Sequence, residues 1–424
     1  MPVMKVFHGY GHVYIGCVSI RCIVESATGS GPSGSKNMKI DRILTAALMA
    51  ALPAVAGADE VPLPKQMTWA SYDSQSIVYA ESIAIGKVLE NHYGTKLQVI
   101  PVRNGFSRML PLFSGKADIV TTGSDGYFAQ EGAFIFAKKG YGPQRLRIVS
   151  YNETNPGNGA AVTADSGIKT WADAKGKRVA VVQGSAASAK VVEASLAFAG
   201  LTWDDVVRVP VSSWSAGQEA LINGQADIAA ANTTSPSVER LANSPRGIFW
   251  PPTAHDDAEG WARLSAVAPY IQKAEICQGI GIPEGECVEI NGYGYPEYLA
   301  LPDLSEDAVY GLVKAMDLHA EEMATAFPRA KGYAFEKQRM QQAWPWHDGA
   351  IRYFKEKGVW DDDAQAHHDM LLKRQDVLAA AWQELNAGDV PGDEAEFAAK
   401  WSEIRARHLR EAGLAVVYDD VWNY

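Results

Sequence analysis

Leu112-Phe113-Ser114-Gly115-Lys116-Ala117-Asp118-Ile119-Val120 returns 109 residues later as Leu221-Ile222-Asn223-Gly224-Gln225-Ala226-Asp227-Ile228-Ala229. In both copies the apolar spacing is helical up to the glycine, and an aspartate then opens a short apolar run. Each copy therefore reads as a helix, a left-handed glycine cap and a buried strand, with Asp118 and Asp227 as turn residues rather than chemistry. The match extends outward in both directions. Val99-Ile100-Pro101-Val102 pairs with Arg208-Val209-Pro210-Val211 at the same offset. Further upstream, Thr68 to Ser76 leading into Tyr79 to Asn91 pairs with Arg178 to Ser185 leading into Ala189 to Ala199. Each copy is thus strand, small polar loop, amphipathic helix, strand, helix, strand: an α/β unit made twice.

The fold class that follows is α/β and two-lobed, each lobe a β-sheet flanked by helices. The lobes would close like a Venus-flytrap clamshell on a ligand that meets the loops at the carboxyl ends of the strands. Tyr298-Leu299-Ala300-Leu301 reads as a strand returning to the first lobe, with helices from Glu306 to Ala326. Two amphipathic helices, Ala364 to Asn386 and Glu394 to Glu411, pack outside that lobe. The expected organisation is lobe 1 over 59–155, lobe 2 over 156–296, a return to lobe 1 over 297–359 and a helical C-terminal extension over 360–424.

The first 58 residues differ from the rest. Residues 1–37 read as a start-site artefact. From Met38 come Lys39, Asp41 and Arg42, an apolar run from Ile43 to Val55, and Ala56-Gly57-Ala58. That is the order of a signal peptide (38–58) cleaved after Ala58, and the run falls short of the roughly 20 residues a spanning helix needs. The expected location is the periplasm. The whole chain of 424 residues has 39 basic and 50 acidic residues, a net charge of −11, and the mature part would carry 34 and 48, a net −14. With no basic block to follow a phosphate backbone, nucleic acid is a poor candidate partner. Only Cys277 and Cys287 remain after cleavage, bracketing a Gly/Pro-rich turn. An oxidising compartment favours a disulfide between them, though two free thiols fit the sequence as well.

Candidate ligand contacts lie on the loops after strands. Gln183, Ser185 and Ser188 surround one helix start, and Ser74, Ser76 and Tyr79 the equivalent start in the other lobe; free backbone N–H groups there suit a carboxylate. Ser74 and Ser185 could equally just cap their own helices. Arg103 and Asn104 follow a strand at the same rim. The guanidinium either pairs with a ligand carboxylate or stays solvated. Ser124 and Thr233 sit on the loops after the third strand of each lobe, and Tyr79 and Trp214 either wall the cleft or pack in a core. No G-x-S-x-G, phosphate-loop or spaced metal motif is complete. The adjacent His367 and His368 point to different helix sides, and Asp361 to Asp363 lack a calcium-loop spacing. No catalysis, cofactor or metal is expected.

The motifs together resemble the TAXI family of TRAP transporter solute receptors over about 68 to 360. They are the first hydroxyl loop with Tyr79 and Lys87; Ser114 to Asp118 with Ser124-Asp125; Asp165 to Lys169 with Ala174 to Val179; Gln183 to Ser185; Leu221 to Asp227 with Pro236; and Pro345 to Ala350 with Tyr353 to Gly358. The resemblance implies a periplasmic receptor, not an enzyme, that binds a small carboxylate or amino acid such as glutamate and passes it to TRAP membrane permease subunits. A sensor subunit signalling through a membrane partner would use the same clamshell. The first loop is poorer in glycine than the family's, and Arg103-Asn104 stand where small residues are usual. Both departures fall on pocket positions and bear on which solute fits.

Overall fold

The computed structural model describes residues 61–74, 76–102, 105–153, 157–183 and 185–418. The expected start-site segment, the signal peptide, Arg103 and Asn104 lie outside them. The first half-lobe runs β1 (Gln66–Ser71), α1 (Ile77–Tyr93), β2 (Lys96–Pro101), α2 (Gly105–Phe113), β3 (Ile119–Thr122), α3 (Asp125–Glu131) and β4 (Arg147–Tyr151). The chain then crosses to β5 (Asn158–Val162), β6 (Arg178–Val182), α4 (Ala186–Phe198), β7 (Val207–Val211), α5 (Trp214–Ile222), β8 (Ile228–Asn232), α6 (Pro236–Ala242), α7 (Ala258–Val267) and the hairpin β9 (Gln272–Ile276) and β10 (Val288–Gly292). It returns with β11 (Glu297–Ala300), followed by α8 (Glu306–Leu318), α9 (Ala320–Ala326), α10 (Asp348–Glu356), α11 (Asp362–Ala387) and α12 (Glu394–Glu411).

The repeat folds as its pattern requires. The first sheet has the order β2-β1-β3-β11-β4 and the second β5-β8-β6-β7, so β1, β2 and β3 correspond to β6, β7 and β8. These strands are parallel within each sheet, while β11 and β5 run antiparallel to their neighbours. Gly115 and Gly224 take left-handed φ values of 67° and 72° just past α2 and α5, where a side chain would be strained. Asp118 Oδ2 accepts from the backbone N–H of Thr68 at 2.7 Å, and Asp227 Oδ2 from that of Arg178 at 3.2 Å. Each aspartate therefore ties the start of its own strand to the start of the central one. The tied residues are 50 apart in the first copy and 49 in the second, so the central strands are offset by one residue more than the motifs that follow.

Apolar burial follows the strands. Trp69, Ile119, Val120, Tyr298 and Leu299 are wholly buried in the first lobe, as are Val179, Ile228 and Leu221 in the second. Cys277 and Cys287 are joined, with Cα atoms 4.0 Å apart, which closes the alternative of free thiols. The C-terminal helices pack one face against the first lobe. Trp401 Nε1 donates to the Gly132 carbonyl at 2.7 Å, and Arg374 and Arg405 enclose the buried carboxylate of Glu131 at the end of α3. Among the described residues, no helix is long and apolar enough to cross a membrane.

Candidate functional site

The chain passes between the lobes after β4 and again at 293–296, and the two passages hold each other: Tyr295 N–H donates to the Asn152 carbonyl at 2.8 Å and Asn152 N–H to that of Pro296 at 3.0 Å. Because β11 runs antiparallel to β3, its first residue, Glu297, lies opposite Thr122 at the carboxyl end of β3. The strand ends of the first sheet, the crossing 293–296 and the start of β11 therefore meet along one seam.

The side chains gathered there are aromatic and acidic. Glu297 is buried and its Oε2 has no hydrogen-bond partner; burial, then the nearby Asp125 carboxyl, push its pKa well above the ordinary glutamate value. Burial also raises Asp125, against the pull of Arg108. Arg108 is itself buried on α2. Its Nε donates to the Thr121 carbonyl at 2.9 Å, and its guanidinium lies 3.5 Å from the centre of the Tyr72 ring. Tyr72 packs edge-on to Tyr295 at 5.9 Å, and Tyr295 to Tyr293 at 6.5 Å. Ser124 Oγ, buried at the start of α3, has the hydroxyls of Tyr270 and Tyr293 beside it but no hydrogen bond of good geometry; Tyr270 OH likewise has none.

The second lobe meets this seam through Tyr293. A small cavity of ≈ 60 Å³ is lined by Tyr293 together with Ser188, Val191 and Ala187 of α4, Trp214 of α5 and Gly159 of β5. Ser188 and Trp214, expected on separate loops, are thus brought to one wall. The other expected residues are distributed around this centre. Ser185 caps α4, accepting from Ser188 N–H at 3.3 Å and donating to Ser188 Oγ at 3.0 Å, so no base draws on its proton. Ser76 caps α1, accepting from Tyr79 N–H at 3.1 Å, with Tyr79 half-buried in the first turn. Ser74 and Gln183 are exposed at their loops. Thr233 does not line the cavity. It is buried and enclosed by backbone, since a Cβ at Gly157 would fall 2.3 Å from its Oγ1 and one at Gly279 2.9 Å from its Cβ.

Seven residues of the seam escape the loop-by-loop reading of the sequence as ligand contacts: Tyr72, Arg108, Asp125, Tyr270, Tyr293, Tyr295 and Glu297. One signal was available. Glu297 is an acid opening an otherwise apolar strand, directly after the turn Gly292-Tyr293-Gly294-Tyr295-Pro296, and an acid in that position needs a reason to be there.

Against known proteins, the NMT1-like family matches residues 82–358. No curated protein matches the chain. Among solved structures it is similar to the periplasmic aliphatic sulphonate binding protein SsuA from Escherichia coli, at 16% identity and a TM-score of 0.43, over 85% of this chain and 92% of that one. It is similar to the alkanesulfonate-binding protein SsuA from Xanthomonas axonopodis pv. citri bound to MOPS, at 18% identity and a TM-score of 0.39, over 74% and 95%. It is also similar to the periplasmic VFT2 domain of BvgS from Bordetella pertussis, at 16% identity and a TM-score of 0.37, over 62% and 93%.

Proposed function

This chain belongs to the NMT1-like family, and from that premise and the geometry of its seam we propose that it is a periplasmic solute receptor of a TRAP-type importer of the TAXI kind. It takes an amino acid, glutamate being one example, or a related small carboxylate, and hands it to the membrane permease. The signal peptide over 38–58 delivers it to that compartment.

The observation that carries the reading is the set of buried polar atoms without partners, Ser124 Oγ, Tyr270 OH and Glu297 Oε2, where the lobes meet. Buried polar groups are ordinarily paired, because leaving one unmade costs about 1–3 kcal/mol. A ligand that supplies the missing bonds is favoured only when the lobes are together around it, and that difference closes a clamshell. The charge pattern favours a zwitterion over a plain anion. The helix starts at Ser76 and Ser185 suit a carboxylate, while Asp125 and Glu297, both held toward the neutral form by burial, would ionise against an ammonium group.

A thermal-shift screen of the protein against amino acids, dicarboxylates, keto acids, sulfonates and sugars tests this. A solute at 100 times its dissociation constant should stabilise the fold by about 2.7 kcal/mol. The effective solute is expected to be an amino acid or small carboxylate, with weaker shifts in Ser188→Ala and Tyr293→Phe. A panel in which only sugars act, or in which those variants respond like the wild type, defeats the reading.

A further inference from the structure

We infer that His92, His319 and Glu322 form a binding site for a divalent transition-metal ion such as zinc, on the outer side of the first lobe and independent of the receptor reading. They come from two places in the chain: His92 from the last turn of α1, and His319 and Glu322 from the α8–α9 junction and the first turn of α9. His92 Nε2 lies 2.8 Å from Glu322 Oε2, and His319 Nδ1 lies 3.2 Å from the same oxygen. The three donor atoms all fall within 4.8 Å of one another. A tetrahedral zinc ion with bonds of about 2.0–2.1 Å holds its ligand atoms about 3.3 Å apart, so this triangle is close to the size required. The two imidazole rings stack with centroids 4.0 Å apart and a tilt of 27°.

Two further features set this cluster apart from a surface ion pair. His319 Nε2 lies 2.9 Å from Tyr93 OH. A hydrogen bond at the far ring nitrogen is how a metal-ligating histidine is oriented, and in the tautomer whose Nε2 donates to the Tyr93 oxygen, Nδ1 keeps the lone pair an ion takes. His92 and His319 also line a cavity of ≈ 610 Å³, together with Lys314, Tyr353, Glu356 and Lys357. Three protein ligands beside such a cavity leave room for water or an exogenous anion as a fourth. Nitrogen and oxygen donors without thiolate suit zinc, copper or nickel better than calcium or magnesium. In the other cluster of ligand-type residues, Glu275 with Cys277 and Cys287, the sulfurs are already bonded to each other. Reading the sequence for neighbouring histidines leads to no metal, because His92 and Glu322 stand 230 residues apart.

Titration of the untagged protein with zinc chloride, followed by calorimetry, decides the matter. The wild type is expected to take up zinc at a site that His92→Ala and His319→Ala each weaken by more than tenfold. Tyr93→Phe, which removes only the orienting hydroxyl, should cost about tenfold or more, while His367→Ala leaves the affinity as it was. Because Tyr93→Phe and Glu322→Gln keep the side-chain volume, they report on the site even if an alanine variant is poorly folded. No uptake by the wild type, or equal uptake by the His92→Ala/His319→Ala double variant, overturns the assignment.

Discussion

Glu131→Gln is the substitution whose consequence the structure fixes most tightly. Glu131 closes α3 and is wholly buried. Arg374 of α11 reaches it in a bidentate pair, Nε to Oε1 at 2.6 Å and Nη2 to Oε2 at 2.7 Å. Arg405 of α12 adds an Nη2 contact to Oε2 and an Nε–H bond to the Glu131 carbonyl at 3.1 Å. The arginine side chains are only 7% and 0% exposed, so the amide variant leaves two buried guanidiniums with no counter-charge. Removing one partner of a buried ion pair costs about 3–5 kcal/mol. Arg374 and Arg405 keep bonds to the carbonyls of Ala415 and Tyr418, which argues for the lower end, about 3 kcal/mol.

Urea unfolding at neutral pH measures this directly, with Glu394→Gln as the control. That variant breaks the exposed pair with Lys138 and should cost less than about 1 kcal/mol. Acid supplies a second check. Burial alone would raise the Glu131 pKa, but Arg374 and Arg405 hold it below the ordinary glutamate value. The unfolded state therefore takes up its proton first as pH falls, and the stabilisation, complete above the ordinary range, is lost below it. The gap between wild type and Glu131→Gln should narrow on acidification. A neutral-pH difference under about 1 kcal/mol, or a gap that ignores pH, refutes the claim that the C-terminal helices are held to the lobe by this carboxylate.

Glu153 titrates in the opposite sense and Asp227 in the same one. Glu153, in the first crossing, is raised to about 7, burial outweighing the Arg339 guanidinium beside it. The native state thus keeps a proton that the unfolded chain gives up between the ordinary glutamate range and pH 7, and wild-type stability should fall through that window by up to about 3 kcal/mol and then level off. Glu153→Gln should lose that slope in pH-dependent denaturation; an unchanged slope contradicts the assignment. Asp227 and Asp118 are repeat equivalents with unequal partners. Asp227 also binds Arg178 and Arg246, and these and backbone bonds, against the effect of burial, lower it to about 2. Asp227→Asn should therefore destabilise by about 1–2 kcal/mol more than Asp118→Asn at neutral pH, the excess disappearing as pH falls toward 2. Equal melting temperatures for the two variants would count against it.

The architecture was legible because the repeat encodes local events: a helix, its glycine cap, and an aspartate that ties one strand start to another. Those signals lie within a few residues of each other and recur. The loops after strands are located the same way, and that rule places Ser188 and Trp214 on one cavity wall and Ser124 at the seam. What the rule could not supply was depth. Ser185 and Ser76 satisfy their own helices, Ser74 and Gln183 point to solvent, and Thr233 is walled in by two glycines that only the folded chain brings near. Arg108, Asp125 and Glu297 owe their character to burial and to one another, and Tyr270 and Tyr293 arrive from elements far along the chain. The C-terminal helices were read as amphipathic covers. Their anchor is a buried acid more than 240 residues upstream, visible only in three dimensions.

The central claim is that the seam around Ser124, Tyr293 and Glu297 receives the solute, an amino acid or small carboxylate, and that the ammonium group of an amino acid lies against Glu297. Calorimetry of the best solute from the screen, run near pH 7 in two buffers of different ionisation enthalpy, tests it most directly. Binding of one solute per chain should release a proton as the ammonium group draws Glu297 into its ionised form, and Glu297→Gln should weaken binding and abolish that release. Binding that releases no proton and is indifferent to both Glu297→Gln and Tyr293→Phe would contradict the account.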